Sequence, residues 1–253
     1  MNSNSTSPDT RIYAIGDLHG CLDLLNTLLA WIETDVREAG AKRNVLVFLG
    51  DYVDRGSQIK ALVDRLAGGF PFMQETIYIR GNHEHTLMRF LAGEGVSWNW
   101  FKYGGLETLK SYDLTPPTDP EEATAIEPAL SIELASIFPE RHRQFMENLE
   151  LHWSDGEYLF VHAGLKPGVA LSDQDEHDLL WIRSDFLDSD ADFGQVVVHG
   201  HTVTPAPEVR SNRIGIDTGA YANGLLTCVV LAGTQRQFAF TTEDGVQVQD
   251  IIK

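Results

Sequence analysis

The stretch that most constrains this chain is Phe48–Gly56, which ends an apolar run with two carboxylates, a guanidinium and two glycines. A hydrophobic core excludes that combination, because buried charges need partners. Residues 44–49 have the pattern of a buried strand, so the backbone leaves the predicted sheet at Gly50. From there the side chains of Asp51 and Asp54 can point toward one shared location. The sequence therefore predicts a ligand site at the end of a strand.

Four further segments end predicted strands in the same way. They are Gly16-Asp17-Leu18-His19-Gly20, Gly81-Asn82-His83-Glu84, His162-Ala163-Gly164 and Gly200-His201-Thr202. Any one of these histidines or Gly-Asp pairs alone is typical of a structural residue or an ordinary turn, but five such turns that each add a donor indicate a site. The predicted metal ligands are Asp17, His19, Asp51, Asn82, His162 and His201. This mixture of oxygen and imidazole donors suits divalent Mn, Fe or Zn better than calcium.

The number of donors and the character of the flanking residues indicate the reaction. Six donors are too many for one tetrahedral ion, and the central position of Asp51 in the sequence predicts a bridging carboxylate. Two cations about 3.5–4 Å apart can hold a hydroxide between them and clamp a phosphate during in-line displacement. Arg55 and Arg183 can bind phosphate oxygens as bidentate forks. His83, held by Asp54, can give a proton to the leaving oxygen.

Composition limits the classes of partner. The chain has 19 basic and 37 acidic residues and a formal net charge of -18, which repels nucleic acid and anionic membrane surfaces unless bound cations reverse the field. We therefore expect no nucleic-acid or membrane partner, and a site that handles phosphate needs metal. Two cysteines, Cys21 and Cys228, form no disulfide framework and suit a reducing compartment. Residues 1–10 are polar, so we expect a frayed N-terminus without a signal peptide and a cytoplasmic monomer.

The order of predicted elements indicates the fold class. Apolar residues from Leu22 to Val36 have helical spacing with Gly40 as the stop, and Ser57 is a candidate N-cap of a second helix. Further strands are predicted at 11–15, 76–80, 151–154, 157–161, 195–198, 213–216, 225–231, 237–241 and 246–251. Residues 93–139 are predicted to be an insertion of short helices and loops over the strand ends. Strands that first alternate with helices and then predominate favour one α/β domain over residues 1–253, with two packed sheets and helices outside.

The five motifs together resemble the signature of the phosphoprotein phosphatase family within the calcineurin-like metallophosphoesterases. The resemblance implies a two-sheet β-sandwich flanked by helices, a four-layer α/β/β/α arrangement, with a dinuclear metal centre at one end. It implies a first metal held by Asp17, His19 and Asp51, and a second held by Asp51, Asn82, His162 and His201. It also implies His83 with Asp54 as the acid pair and Arg55, Arg183 and Asn82 as phosphate ligands, with Tyr221 at the rim of the site. Among manganese, iron and zinc, manganese is the metal that we expect.

The residues that occupy these motifs are informative about the substrate. Asp54-Arg55 and Asn82-His83-Glu84 resemble the corresponding motifs of serine/threonine phosphatases. The stretch around Trp181-Ile182-Arg183 resembles that of bacterial members, some of which prefer phosphotyrosine. We therefore expect a bacterial serine/threonine protein phosphatase that also accepts phosphotyrosine or a small phosphoester. One alternative is a symmetrical dinucleoside tetraphosphate hydrolase. A remote alternative is a binding scaffold that has lost its metals, which would require missing ligands or a missing His83.

Overall fold

The secondary structure changes in character along the chain. The computed structural model describes residues 4–251. In chain order the strands are β1 (Thr10–Ile15), β2 (Arg43–Phe48), β3 (Glu75–Tyr78), β4 (His152–Asp155), β5 (Tyr158–Val161), β6 (Val196–His199), β7 (Glu208–Val209), β8 (Arg213–Gly215), β9 (Thr227–Ala232), β10 (Gln235–Thr242) and β11 (Gly245–Asp250). The helices are α1 (Leu22–Ala39), α2 (Ile59–Ala67), α3 (Asn82–Leu91), α4 (Trp98–Trp100), α5 (Leu106–Ser111), α6 (Pro120–Ile137), α7 (Glu140–Glu147), α8 (Glu176–Trp181), α9 (Ser184–Leu187) and α10 (Ala220–Asn223), with a π-helical turn at Phe101–Gly105 and a 3-10 turn at Leu171–Asp173. Strands and helices alternate through α3, and strands predominate after α7, as the sequence predicts.

The strands form two mixed sheets. The first has the order β11-β10-β9-β1-β2-β3, in which β1, β2 and β3 are parallel and the other three strands are added antiparallel. The second has the order β4-β5-β6-β8-β7, with a parallel centre and one antiparallel strand at each edge. Because the carboxyl ends of parallel strands meet at one edge of a sheet, the turns after β1, β2 and β3 are neighbours, and so are those after β5 and β6.

Three hydrophobic clusters define four layers. Between the sheets, Ile12 of β1 belongs to the same buried cluster as Phe160 of β5. On the other face of β1, Tyr13 clusters with Leu28 and other residues of α1 and α2. The outer face of the β5–β6 pair clusters with Phe186 and other residues of α8 and α9. This alternation confirms the predicted sandwich of two sheets between two helical layers.

The segment 93–139 is more helical than predicted. The Pro- and Thr-rich composition of residues 115–128 indicates loops, yet α6 extends over 18 residues and contains Pro128. Asp119 explains the difference, because its carboxylate accepts the backbone N–H groups of Glu121 and Glu122, both at 2.9 Å, and Pro120 occupies the first turn, where no N–H is needed. Neither α6 nor any other helix among residues 4–251 is long and apolar enough to cross a membrane.

Two local expectations at helix and chain ends need correction. Helix α2 has Gln58 at its N-cap position, not Ser57. The predicted frayed segment 1–10 is wrong for residues 5–10, because backbone N–H groups of Ser5 and Ser7 donate to Glu157 and Asp155 beside the β4–β5 turn, each at 2.8 Å. Residues 1–3 lie outside the described part of the chain.

Candidate active site

The six predicted metal ligands come from five turns and are buried together at one end of the two sheets. Asp17 and His19 follow β1, Asp51 follows β2, Asn82 opens α3, His162 follows β5 and His201 follows β6, and each is at most 6% exposed. Donor atoms of His19, Asp51 and His83 lie within 4.8 Å of one another, and so do those of Asp51, His162 and His201. Asp51 belongs to both groups, which is the central position that the sequence predicts for it.

In the group around His162, lone pairs of an imidazole nitrogen, an amide oxygen and a carboxylate oxygen point toward one another. Nδ1 of His162 donates to the carbonyl oxygen of Leu49 at 2.8 Å, so the lone pair of the neutral ring is on Nε2. That nitrogen lies 2.9 Å from Oδ1 of Asn82 and 3.4 Å from Oδ1 of Asp51. Nδ1 of His201 also lies 2.9 Å from the same amide oxygen. Burial lowers the pKa of His162, and it lowers the pKa of His201 to about 2, so both rings are neutral at physiological pH.

The group around His19 repeats this arrangement. Nδ1 of His19 donates to the carbonyl oxygen of Val53 at 2.8 Å, which leaves a lone pair on Nε2. Nε2 is buried 3.4 Å from Oδ2 of Asp51 and has no hydrogen-bond partner among residues 4–251. Lone pairs that converge in a buried site repel one another unless a cation lies between them. The residues present therefore fit divalent metal ions.

Two glycines allow the carboxylates to approach the neighbouring strands. The backbone N–H of His201 donates to Asp17 at 3.1 Å, and a Cβ atom at Gly200 would overlap the Asp17 carboxylate. A Cβ atom at Gly81 would in the same way overlap the Asp51 carboxylate. The motifs Gly-His-Thr and Gly-Asn-His-Glu therefore need glycine in first position for reasons of space.

The backbone of the site is strained. Seven non-glycine residues among those described have positive φ angles, and five of them are in the site. These five are His19, Asp51, Asp54, Arg55 and His201, with φ between 40° and 68°. A left-handed conformation of a non-glycine residue costs on the order of 1–3 kcal/mol and persists only where the surroundings enforce it. The fold thus holds these side chains in positions that the local sequence does not favour.

His83 and Asp54 form the hydrogen-bonded pair that the sequence predicts. Nδ1 of His83 lies 2.5 Å from Oδ2 of Asp54. Its other nitrogen, Nε2, faces the metal-binding side of the site, 3.8 Å from Oδ2 of Asp51 and 3.3 Å from the Arg55 guanidinium. Burial alone would lower the pKa of His83, but the carboxylates of Asp51 and Asp54 outweigh it and raise the pKa above its ordinary value. The ring is thus suited to carry a proton at Nε2.

The predicted phosphate ligands surround the same opening. The Arg55 guanidinium lies over the ring of Tyr221, 4.6 Å from its centroid, and Tyr221 in turn contacts the edge of His19. Arg183 is exposed and donates to the hydroxyl of Thr202 at 3.1 Å. Tyr221 is 41% exposed, and its place at the rim of the site stays a prediction.

A pocket of about 660 Å³ extends from this opening toward residues 93–139. Its lining includes Arg55, Asn82, His83 and Arg183 from the site, and Arg89, Asn99, Tyr103 and Trp181 beyond it. Tyr103 and Trp181 are 58% and 37% exposed. The pocket therefore combines guanidinium groups with aromatic surface next to the predicted acid.

Glu84 is a site residue to which the sequence analysis assigned no role, although it belongs to a quoted motif. Its Oε1 accepts the N–H groups of Tyr52 and Val53, and its Oε2 accepts those of Asp51 and Gly81, over 2.7–3.1 Å. Burial and the nearby Asp51 carboxylate raise the pKa of Glu84 to about 7, whereas the N–H donors favour its ionised form. One carboxylate thus holds the turn that carries Asp51 against the start of α3.

We expect Glu84→Gln to lower the free energy of unfolding by about 2–4 kcal/mol at pH 8, where the native side chain is ionised. The amide nitrogen of glutamine is a donor and leaves two buried N–H groups without an acceptor. Chemical denaturation followed by circular dichroism measures the change. Glu133→Gln on the exposed face of α6 is the control and should stay within about 0.5 kcal/mol of the parent. An equal, small effect of both substitutions would contradict this role of Glu84.

Three other side chains near the site were also missed. Asp217 is buried, and its Oδ1 accepts the N–H of Gly219 while its Oδ2 has no hydrogen-bond partner among the described residues. Burial and the charge of Asp217 raise the pKa of Asp17. Trp100 and Thr108 contact Asp54 from the segment 93–139. The sequence gives no signal for these contacts, because they join turns that are far apart along the chain.

Comparisons with known proteins agree with this geometry. A family profile described as calcineurin-like phosphoesterase matches residues 10–222. The chain is 29% identical over 242 residues to bis(5'-nucleosyl)-tetraphosphatase PrpE [asymmetrical] of Anoxybacillus flavithermus, covering 85% of this chain and 88% of that protein. It is 28% identical over 225 residues to serine/threonine-protein phosphatase 2 of Salmonella typhimurium, covering 85% and 90%. A crystal structure of a putative diadenosine tetraphosphatase superposes with a TM-score of 0.60 at 17% identity, covering 98% of this chain and 96% of that one.

Proposed function

The chain belongs to the calcineurin-like phosphoesterase family, and we propose that within this family of metal-dependent enzymes it removes phosphate from phosphorylated protein side chains, chiefly phosphoserine and phosphothreonine. The observation that carries the proposal is that neutral imidazoles converge on the Asp51 carboxylate, and that the imidazole of His83, whose pKa is raised, lies beside them. The neutral imidazoles and the carboxylate supply ligands for cations, and His83 supplies a proton. Both are needed to displace an alkoxide from phosphate. All six ligands and His83 are present, which argues against a metal-free scaffold.

The proposed ligand sets are those that the resemblance implies. Asp17, His19 and Asp51 would hold one ion, and Asp51, Asn82, His162 and His201 would hold the other. Manganese is the ion we propose, and iron and zinc suit the same donors. When bound, the two ions supply an activated water and neutralise charge on the phosphate.

The residues of the chain orient the substrate and move the proton. Arg55 and Arg183 bind phosphate oxygens, with Arg55 steadied by the ring of Tyr221. The amide of Asn82, beside His83, contributes a further contact to the phosphate. A water oxygen forms the new bond to phosphorus and releases a proton to the solvent, while the bond to the serine or threonine oxygen breaks. His83 gives its Nε2 proton to that leaving oxygen, and Asp54 stabilises the charged ring before the transfer.

A second candidate function is hydrolysis of dinucleoside tetraphosphates. Relatives named asymmetrical tetraphosphatases favour it, so the type to consider is the asymmetrical one and not the symmetrical one expected from the sequence. The pocket also contains Arg89 beyond Arg55 and Arg183. However, Arg89 is paired with Glu94 at 2.9 Å, and the net charge of -18 repels a tetraphosphate more than a phosphomonoester. We therefore keep the protein phosphatase as the first proposal.

A direct comparison of substrates tests this choice. We expect the manganese-loaded enzyme to hydrolyse phosphoserine and phosphothreonine peptides with a kcat/KM at least about 10-fold above that for diadenosine tetraphosphate, a difference of ~1.4 kcal/mol in transition-state binding. A phosphotyrosine peptide should also be hydrolysed. Chromatography of the nucleotide products adds a second readout, since the asymmetrical reaction gives ATP and AMP and the symmetrical one gives two ADP. A tetraphosphate kcat/KM well above that for every peptide would reverse the order of the two proposals.

A further inference from the structure

Asp54 has more hydrogen-bond partners than its pairing with His83 requires. It is fully buried, and besides Nδ1 of His83 at 2.5 Å its Oδ2 accepts the indole N–H of Trp100 at 2.9 Å. Its Oδ1 accepts the hydroxyl of Thr108, and the same hydroxyl accepts the backbone N–H of Asp54 at 3.0 Å. Two of the three side-chain donors to this carboxylate thus come from the segment 93–139.

The backbone of that segment is shaped to deliver these donors. The turn Phe101–Gly105 lies between Trp100 and Thr108 and is kinked at Gly104, whose φ of 126° is not helical. The carbonyl oxygen of Gly104 accepts the backbone N–H of Arg55 at 3.3 Å, and a Cβ atom at Gly104 would overlap Arg55. Glycine at this kink lets the segment close directly over the Asp54-Arg55 turn.

Both donors are held firmly. The ring of Trp100 packs against Phe90 and Phe101, with centroids 4.7 Å and 5.0 Å apart, and only 5% of the residue is exposed. Thr108 is fully buried. Its hydroxyl accepts the backbone N–H of Asp54 and donates to the carboxylate of the same residue, which fixes the rotamer of Asp54. A carboxylate with a single partner can rotate, whereas one with three fixed donors has one orientation.

We propose that Trp100 and Thr108 are positioning residues for the general acid. They hold the Asp54 carboxylate in the orientation that turns Nε2 of His83 toward the leaving oxygen. The inference rests on the proposed role of His83 and adds to it that the segment 93–139 is part of the catalytic apparatus and not only a cover over the pocket.

Three substitutions separate this role from simple packing. Thr108→Val keeps the shape of the side chain and removes the hydroxyl, Thr108→Ser restores the hydroxyl, and Trp100→Phe keeps a ring and removes the N–H. Each variant is assayed with p-nitrophenyl phosphate, whose leaving group needs little protonation, and with phenyl phosphate, whose leaving group needs more. Trp98→Phe is the matched control, because Trp98 lies in the same segment and packs on Phe101 without a hydrogen bond to Asp54. Manganese content and circular dichroism are measured for every variant.

We expect Thr108→Val and Trp100→Phe to lower kcat on phenyl phosphate about 10-fold, with less than about a 3-fold change on p-nitrophenyl phosphate and unchanged KM and metal content. Thr108→Ser and Trp98→Phe should stay within about 3-fold of the parent on both substrates. In a His83→Asn background, Thr108→Val should have no further effect, since residues that act through one group are not additive.

The outcomes distinguish the inference from the function on which it rests. If His83→Asn slows both substrates equally, the acid role of His83 fails and the inference fails with it. If His83→Asn is selective for the poor leaving group but Thr108→Val slows both substrates alike, or slows His83→Asn further, only the inference is overturned. If Thr108→Val unfolds the protein, the kcat values of Trp100→Phe and Trp98→Phe on the two substrates are compared instead, and the same criteria decide whether the inference stands.

Discussion

Asp51→Asn is expected to remove both metal ions at once and to lower kcat/KM by at least about 10³-fold, because each bound ion contributes several kcal/mol to the transition state. The structure gives each oxygen of Asp51 a separate group of donors. Oδ1 lies 3.4 Å from Nε2 of His162, and Oδ2 lies 3.4 Å from Nε2 of His19. Asparagine replaces one oxygen with an N–H donor and removes the negative charge that would attract the two cations. Metal content by mass spectrometry and manganese binding by calorimetry measure the loss.

Asp113→Asn provides a matched control for Asp51→Asn. Asp113 has a φ of 65°, close to the 52° of Asp51, so both substitutions place asparagine in a left-handed conformation that it tolerates. Asp113 lies at the end of α5, where it pairs with Lys60. This control should bind two equivalents of manganese and retain activity. An Asp51→Asn enzyme that also bound two equivalents and turned over normally would contradict the bridging position.

His83→Asn should keep its metals and lose activity selectively, by roughly 10²–10⁴-fold in kcat on a phosphoserine peptide and much less on p-nitrophenyl phosphate. The reason is that the serine alkoxide needs a proton to leave, whereas p-nitrophenolate does not. Asparagine retains a polar side chain next to Arg55 but has no proton to transfer. The ratio of kcat values for the two substrates is therefore the informative quantity, more than either value alone.

His85→Asn is the control for His83→Asn, because His85 lies two residues further along α3 and pairs with Glu176 outside the ligand set. We expect it to leave the ratio of the two kcat values unchanged. Metal content must remain at two equivalents in both variants, since His83 also lies within 4.8 Å of the His19 and Asp51 donors. Loss of an ion from His83→Asn, or equal slowing of both substrates, would show that His83 acts as a ligand and not as an acid.

The fold and the site could be predicted from the sequence to the extent that each signal is local. The apolar run of β1 and the helical spacing in α1 are properties of consecutive residues, and so are the turns that follow strands. Parallel strands then bring Asp17, Asp51 and Asn82 to one edge by geometry alone. This is why donors separated by many residues could be grouped before their distances were known.

The remaining features depend on contacts that consecutive residues do not encode. The four N–H groups on Glu84 and the donors to Asp54 join segments that become neighbours only when the sheets pack. Composition was misleading for α6, where Pro120 and Pro128 indicate a loop but Asp119 caps a helix. The left-handed angle at Arg55 is likewise imposed by its surroundings, because arginine does not favour that conformation.

The position of β1 in its sheet has a consequence for how the protein is made. β1 pairs on one side with β2 and on the other with β9, which begins at Thr227, and the N–H of Gly16 donates to the carbonyl oxygen of Thr227 at 3.1 Å. On the ribosome, β1 therefore emerges long before β9 and keeps one edge without its partner until Thr227–Ala232 have been translated. An unpaired strand edge is a template for pairing with other chains. The nascent chain thus carries this aggregation hazard until β9 is translated, and an interrupted translation product that ends before Thr227 keeps that edge open.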